Sequence, residues 1–182
     1  MIDLTKRALP NTVEVNGRAY SVYTDFRVWM RFEIALAASH GKDPIPIEYL
    51  FKNDRPSYCD VRELMAFSRP PHELPRPVSG TASDVIVIDF RQDANLIYAA
   101  FMQQYGIDLT EVEELHWHKF LALLDGLTGT KLTEVMGYRC YQRHDRNDID
   151  PYEEMREAWR IEKPLTEEEQ AELDAFNEMF TK

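Results

Sequence analysis

The pattern of apolar and polar residues near the N-terminus predicts a β-hairpin followed by a helix. Apolar and polar side chains alternate on both sides of Asn16 and Gly17, a pair suited to a type I′ turn. The next segment has helical character, with Thr24 or Asp25 as its N-cap and Gly41 as its end. Because a two-stranded ribbon is marginal alone, we expect the hairpin to pack on this helix.

One acidic residue interrupts the apolar positions of that first helix. Glu33 falls among apolar residues such as Phe26 and Trp29 when the segment is wound at 100° per residue. We expect a partly exposed carboxylate beside a nearby arginine. A carboxylate that faces a partner protein is the alternative.

Prolines punctuate the sequence between residues 44 and 82. Short helices are predicted at 46–52 and 58–68, the second capped by Ser57. The proline-rich stretch that follows them is expected to be a surface connector, with polyproline ligand recognition as the alternative. Residues 85–90, VIVIDF, have the β-branched composition of a strand. This strand could extend the N-terminal hairpin to three strands.

Two capped helices form the predicted centre of the fold. Asp93 precedes the apolar segment ANLIYAAFMQQY as its N-cap. Thr110 and Glu113 have the spacing of a capping box for a helix over 111–125, and Gly126 follows its last apolar turn, where a left-handed residue is expected. The side chains expected to be buried in these helices are Trp117, Phe120, Leu121 and Leu124, with Ile97 and Phe101 nearby.

Two histidines in the second of these helices are candidates for chemistry. At helical spacing His116 falls on the apolar side and His118 on the opposite, polar side. Side chains two residues apart point about 160° apart on a helix, so the two rings are not expected to share a metal ion. The chain also lacks the HExxH spacing of a zinc pair. We therefore expect His116 to be a hydrogen-bonded core or interface residue, with no metal or other cofactor bound.

Three more helices are predicted in the last third of the chain. The first covers about 131–144, and the second opens at Asp150 and Pro151, because proline suits the first helical position. Thr166 and Glu169 form a capping box for the third.

This last helix, over 166–180, is amphipathic. Its apolar stripe either docks on its own domain or lies in a groove of another chain, as amphipathic recognition helices do. The candidate partner-binding residues are Leu173, Phe176, Met179 and Phe180.

Charge and composition narrow the class of protein. The net charge of −11 argues against nonspecific binding of nucleic acid, and residues 150–182 alone hold 11 acidic and 4 basic side chains. No run of about 20 apolar residues and no apolar signal core occurs, so we expect neither a membrane span nor secretion. The fold predicted is mainly α with a small N-terminal β-hairpin (α+β) and a bundle-like core. We expect one domain over 1–149 and an acidic helical extension over 150–182.

Catalytic motifs are missing from the sequence. It contains no GxGxxG, Walker or GxSxG motif. Cys140 and His144 share a helical face, but near the end of a predicted helix and not at the N-terminus that would activate a thiolate. Reduced thiols are expected at Cys59 and Cys140, with a single disulfide as the alternative. We therefore expect a protein that is not an enzyme.

One stretch resembles a known phage family. The run DFRQDANLIYAAFMQQYGIDLTEVEELHWHKFLALLDGLTGTKLTEVMGYR is similar to the signature of a bacteriophage family named after its fifteenth gene product. The similarity is marked over 85–144 and looser over the hairpin and first helix. Members of the family are encoded in the tail-gene cluster of siphophages and prophages, typically beside the tape-measure gene, and have no established catalytic residues.

The resemblance implies a role in tail morphogenesis. It favours a tail assembly chaperone or accessory factor that binds the tape-measure protein or other tail proteins in the cytoplasm of the bacterial host. A minor structural component of the virion tail and an oligomeric scaffold are the alternatives, and a small cryptic enzyme belongs to a different class.

Overall fold

The computed structural model describes residues 2–39, 44–70, 86–141 and 150–162. The described residues form a two-stranded sheet, six α-helices and one 3₁₀ helix, which confirms the predicted fold class. No helix in these ranges has the length and apolar character needed to cross a membrane. The elements in chain order are β1 (Thr12–Val15), β2 (Arg18–Ser21), α1 (Phe26–Ala38), the 3₁₀ helix (Glu48–Leu50), α2 (Val61–Ser68), α3 (Ala94–Tyr105), α4 (Trp117–Asp125), α5 (Lys131–Cys140) and α6 (Pro151–Ala158).

The predicted hairpin is present. Asn16 and Gly17 have φ angles of 51° and 76°, the two positive values that a type I′ turn requires. We expected the hairpin to pack on α1, but its main helix contact is with α2. The backbone N–H of Asn16 donates to Glu63 Oε1 of α2 at 2.8 Å. Val13 and Val15 are buried in the core beneath the strand.

The third strand predicted at 85–90 is wrong over its described part. Residues 86–90 contain no strand, and beyond β2 the chain pairs with the segment after the 3₁₀ helix through an isolated bridge between Val22 and Phe51. The Lys52 N–H completes this contact by donating to Ser21 O at 3.0 Å. Residues 86–90 contact α5 instead, where Arg139 Nη1 donates to Val87 O at 3.0 Å.

Local capping explains where α1 and α2 begin. Asp25, one of the two predicted caps, accepts from the Arg27 N–H at 2.9 Å. Helix α1 ends at Ala38 with Ser39 as its C-cap, and the predicted end at Gly41 lies outside the described residues. The predicted cap of α2 at Ser57 is wrong, because Asp60 and Glu63 form a capping box three residues later. The helix predicted at 46–52 is only a 3₁₀ turn.

Helix α4 begins six residues later than predicted. The capping box at Thr110 does not form, because the Asp108 carboxylate accepts from the Thr110 N–H at 2.8 Å and its hydroxyl at 2.6 Å. The Val112 carbonyl accepts from Arg27 Nη2 at 2.7 Å. In a helix over 111–125 this carbonyl would instead accept from a backbone N–H of the same helix. The chain then runs to an isolated bridge between Asp25 and His116, and the helix starts at Trp117.

Gly126 ends α4 as predicted, but not in a left-handed conformation. Its φ is −81°. A Cβ there would lie 3.0 Å from the Tyr105 hydroxyl, which donates to Leu123 O at 2.8 Å. The glycine therefore allows the close approach of Tyr105 rather than a special backbone angle.

Helices α3, α5 and α6 lie where the sequence predicts helices, with one difference at the end of α5. Helix α3 has its predicted span and α6 opens at Asp150, whose side chain accepts from the Tyr152 N–H at 3.0 Å. Helix α5 ends at Cys140, short of the predicted 144. The helix predicted at 166–180 lies outside the described residues, together with Leu173, Phe176, Met179 and Phe180. The division of the chain at 149 stays a prediction.

The core centres on aromatic rings. Phe120 is fully buried and stacks on Phe26, Phe101 and Trp117 at ring-centroid distances of 5.0, 5.1 and 5.5 Å. Trp117, Phe120, Ile97 and Phe101 are buried as predicted. Leu121 and Leu124 are only half-buried, which corrects their predicted place in the core.

A buried ion pair joins the second half of the fold. Asp93, predicted as the cap of α3, makes no cap bond with its side chain and accepts instead from Arg139 Nη1 and Nη2 at 2.6 and 2.8 Å. Arg139 also donates to Trp159 O at 2.7 Å. The pair therefore links α3 and α5 to the end of α6, with both side chains at most 3% exposed.

Candidate functional site: an apolar groove beside a helix junction

The C-terminal end of α2 is satisfied by side chains from the start of α4. Trp117 Nε1 donates to Ser68 O at 2.7 Å, and His118 Nε2 donates to Phe67 O at 2.8 Å. The last carbonyls of a helix have no partner within that helix, so buried donors from another element stabilise the end. The junction therefore fixes the position of α4 against α2.

His118 is buried, contrary to the prediction that it lies on a polar face. It is 4% exposed, and its ring centroid lies 4.6 Å from that of Phe67. The prediction failed because α4 begins at Trp117, so His118 belongs to the first turn, which faces α2. Its Nδ1 has no hydrogen-bond partner in the described part of the chain, and burial lowers the pKa of His118.

His116 is hydrogen-bonded, as predicted, but it caps α4 rather than lying within a helix. Its Nδ1 accepts from the His118 N–H at 3.0 Å, and its Nε2 donates to Pro10 O at 2.9 Å. Because it lies outside the helix, its ring centroid comes within 5.1 Å of that of His118, whereas the predicted geometry kept them apart. Among the described residues, no group of three or more His, Cys, Asp or Glu side chains is placed to hold a metal ion.

We expect stability to fall as the pH drops below the ordinary histidine pKa of about 6.5. Burial lowers the pKa of His116 and of His118, so between their folded and unfolded pKa values the unfolded chain binds more protons. Stability is therefore full above pH 6.5 and decreases below it. Protonation of His116 at Nδ1 also removes the α4 cap.

Urea unfolding at pH 7.5 and pH 5.5 measures this effect. His116→Asn is the matched variant, since asparagine caps a helix without titrating. The wild type should lose more stability between the two pH values than the variant does. An equal loss in both proteins would contradict the role of His116.

Glu33 forms a second contact between helices at this junction. It is 6% exposed and accepts from the Ser68 hydroxyl and from Arg69 Nε at 3.1 Å and Nη2 at 2.5 Å. The predicted partly exposed carboxylate beside a local arginine is therefore wrong, since its partner is 36 residues away, after α2. The bond ties the middle of α1 to the end of α2.

An apolar groove of about 930 Å³ opens beside this junction. It lies between α1, the end of α2, residues 86–90 and α4, and Trp117 and His118 contribute to its lining. The Glu33–Arg69 pair also lines the groove, together with Asp89 and Asp125. The apolar side chains of its walls include Ile34, Leu36, Met65, Ile88, Phe90, Leu121 and Leu124.

The groove explains why two predicted core residues are half-exposed. Leu121 and Leu124 of α4 line it, and Ile86, another lining residue, is 51% exposed. Such a surface is suited to apolar side chains, since it offers a large apolar area that a ligand can remove from water.

The thiol of Cys59 is not activated as a nucleophile. Burial, with smaller effects of Glu63 and Asp60, raises the pKa of the Cys59 thiol to about 11, so it is protonated at neutral pH. Cys140 is an exposed free thiol, and its predicted neighbour His144 lies outside the described residues.

Comparison with protein families identifies the class of protein. The sequence model of a family described as Bacteriophage Gp15 protein matches residues 61–163, more than half of the chain. The chain therefore belongs to the bacteriophage Gp15 family, which confirms the family expected from the sequence. The match begins at the first residue of α2 and includes the junction of α2 with α4. A search of curated proteins and a search of solved structures each return no match.

Proposed function

We propose that this Gp15-family protein acts in phage tail morphogenesis as an assembly chaperone for the tape-measure protein. It holds an apolar helical segment of that protein in the groove between α1 and α4. The groove carries the proposal, because it presents apolar side chains from four parts of the chain at one surface. Family membership supplies the phage context.

The physical task of such a chaperone fits the groove. A tape measure is a long helical chain with an apolar stripe, which aggregates unless it is covered. An amphipathic helix binds by laying its apolar side chains into a groove of this kind. The net charge of −11 keeps the resulting complex soluble.

The protein works by binding and not by catalysis, in the cytoplasm of the bacterial host. The predicted partner-binding stripe stays a second candidate contact with the tape-measure protein or with another copy of the chain. Its residues are Leu173, Phe176, Met179 and Phe180.

Co-expression with the tape-measure protein tests the proposal. Leu121→Asp places a charge in the groove wall, whereas Met102→Asp changes a 41% exposed residue of α3 outside the groove. Removing a buried leucine contact costs about 1.5–3 kcal/mol, or roughly a tenfold or greater loss of affinity. Leu121→Asp should therefore co-purify at least about tenfold less tape-measure protein than Met102→Asp at equal yield.

Equal capture by the two variants would contradict binding in the groove. Failure of the wild type to capture or solubilise the tape-measure protein would overturn the chaperone role. Recovery of the protein in fixed stoichiometry from purified virions would indicate a structural component of the tail instead.

A further inference from the structure

We infer that the occupant of the groove is an amphipathic helix with a lysine or arginine beside its apolar stripe, and that this cation pairs with Asp89. The inference rests on the proposed function, because it takes the groove as the binding site and specifies the chemistry of the partner. Asp89 and the other lining residues all lie within the described part of the chain.

The backbone of the groove favours a helix over an extended peptide as its occupant. An extended peptide binds by adding a strand to free backbone groups. Residues 86–90 form a non-helical wall, but Val87 O already accepts from Arg139 Nη1 at 3.0 Å, and the Asp89 N–H donates to Asp93 Oδ2 at 2.9 Å. Asp89 O also accepts from the Asp93 N–H at 2.9 Å. The occupant therefore binds through its side chains, as an amphipathic helix does.

The charged side chains that line the groove are mostly acidic. Three are acidic and one is basic, a net formal charge of −2, and they are Glu33, Asp89, Asp125 and Arg69. The Glu33 carboxylate and the Arg69 guanidinium form an ion pair at 2.5 Å, so the excess charge belongs to the two aspartates. This potential disfavours an anionic ligand such as a fatty acid and favours an apolar partner with a basic border.

Asp89 is placed to accept from such a basic side chain. It is half-buried, and its Oδ1 accepts from the N–H groups of Arg91 and Gln92 at 2.8 and 2.7 Å. Within the ranges that the structure describes, no basic side chain forms an ion pair with Asp89, and its Oδ2 accepts no hydrogen bond. The two backbone bonds hold the carboxylate in place, and Oδ2 is left for a charge-assisted bond from lysine or arginine.

Two helix ends add to the negative potential of the groove. Leu36 and Ala37 lie in the last turn of α1, Leu124 and Asp125 lie in the last turn of α4, and all four line the groove. A helix C-terminus carries a partial negative charge that a nearby cation stabilises. Neither last turn contains a basic residue. A basic border on the partner helix therefore supplies a cation that neither helix has in its own last turn.

Two synthetic peptides of about 18 residues, long enough for a helix, test the pairing against the full-length protein. Both carry the same leucine stripe at helical spacing, bordered by lysines in one peptide and by glutamines in the other. At low ionic strength the wild type should bind the lysine peptide at least about threefold more tightly than the glutamine peptide, the scale of a partly exposed ion pair. Raised salt should reduce this ratio by screening the charges.

Asp89→Asn is the decisive variant, and Glu113→Gln is its matched control. Asparagine keeps an oxygen that accepts from the Arg91 and Gln92 N–H groups, so the turn is retained while the charge is lost. Glu113 is exposed and does not line the groove, and its replacement changes the net charge by the same amount. The lysine preference should fall about threefold in Asp89→Asn and stay unchanged in Glu113→Gln. Equal preferences in the two variants would assign the effect to the net charge of the protein and overturn the inference.

A zero-length cross-link locates the contact in the wild type without any substitution. A carbodiimide activates a carboxyl group, and a lysine amine in contact with it then displaces the activating group and forms an amide. Mass spectrometry should find a lysine of the peptide joined to Asp89. Links only to carboxyl groups outside the groove would overturn the inference.

The inference and the proposed function fail separately. Equal binding of both peptides to the wild type, with loss of both in Leu121→Asp, would keep the groove as a helix-binding site and refute only its preference for a basic border. Loss of tape-measure capture with an intact lysine preference would refute only the chaperone role. A dimer in native mass spectrometry that excludes both peptides would assign the groove to a second copy of the chain and overturn the inference. Binding of neither peptide by a monomer would overturn the groove as a helix-binding site and the inference with it.

Discussion

Replacing Arg139 by methionine should lower the free energy of unfolding by about 3–5 kcal/mol, the range for removing one partner of a buried ion pair. Arg139 and Asp93 are at most 3% exposed, so the Asp93 carboxylate would remain in the interior without its counter-charge. The carbonyls of Val87 and Trp159 would also lose their donors. Urea unfolding at pH 7.5 measures the change.

An exposed ion pair provides the control. Arg18 and Asp54 lie 3.3 Å apart with side chains 67% and 82% exposed, so Arg18→Met should change stability by less than about 1 kcal/mol. Equal effects of the two substitutions would show that the Arg139 pair does not hold the fold together.

Replacing Trp117 by alanine should cost about 3–5 kcal/mol of stability, the usual range for a buried large aromatic side chain. Trp117 is 1% exposed and stacks on Phe120, and its indole N–H satisfies Ser68 O at the end of α2. The change therefore removes packing and a buried hydrogen bond together.

Two further variants separate these effects and provide the control. Trp117→Phe keeps most of the packing and leaves Ser68 O without its donor, at an expected cost of about 1–3 kcal/mol. Tyr58→Ala, at a residue 74% exposed, should stay within about 0.5 kcal/mol of the wild type. A denaturation midpoint of Trp117→Ala equal to that of the wild type would show that the residue is not part of the core.

Features encoded by neighbouring residues could be predicted from the sequence. The hairpin follows from Asn16 and Gly17, because asparagine tolerates positive φ and glycine, which has no Cβ, adopts it freely. The starts of α1 and α6 follow from Asp25 and Asp150, which bond to backbone N–H groups two residues away. In each case the interaction closes within a few positions, so a local pattern identifies it.

The start of α4 shows how a local signal can mislead. Thr110 and Glu113 have capping-box spacing, but Asp108 is a competing acceptor two residues before Thr110 and takes its N–H and hydroxyl. That competitor was visible in the sequence. The second cause was not, because Arg27 reaches Val112 O from 85 residues away.

The candidate groove could not be predicted because its parts are distant in sequence. Glu33 is an acidic residue among the apolar positions of α1, and its hydrogen-bond partners Ser68 and Arg69 come from the end of α2. A helix that starts near residue 111 places His118 on a polar face, whereas the helix actually starts at Trp117. Leu121 and Leu124 have the helical spacing of core residues, and only the packing of α1 and residues 86–90 decides that they line an open surface.

Site-specific photo-crosslinking tests the central claim that the groove receives the tape-measure protein. A benzophenone side chain at position 122, an exposed groove residue, should form an adduct with co-produced tape-measure protein under ultraviolet light. The same group at position 102, outside the groove, should not. Adducts at both positions in equal yield, or at neither while the two proteins still co-purify, would contradict the claim.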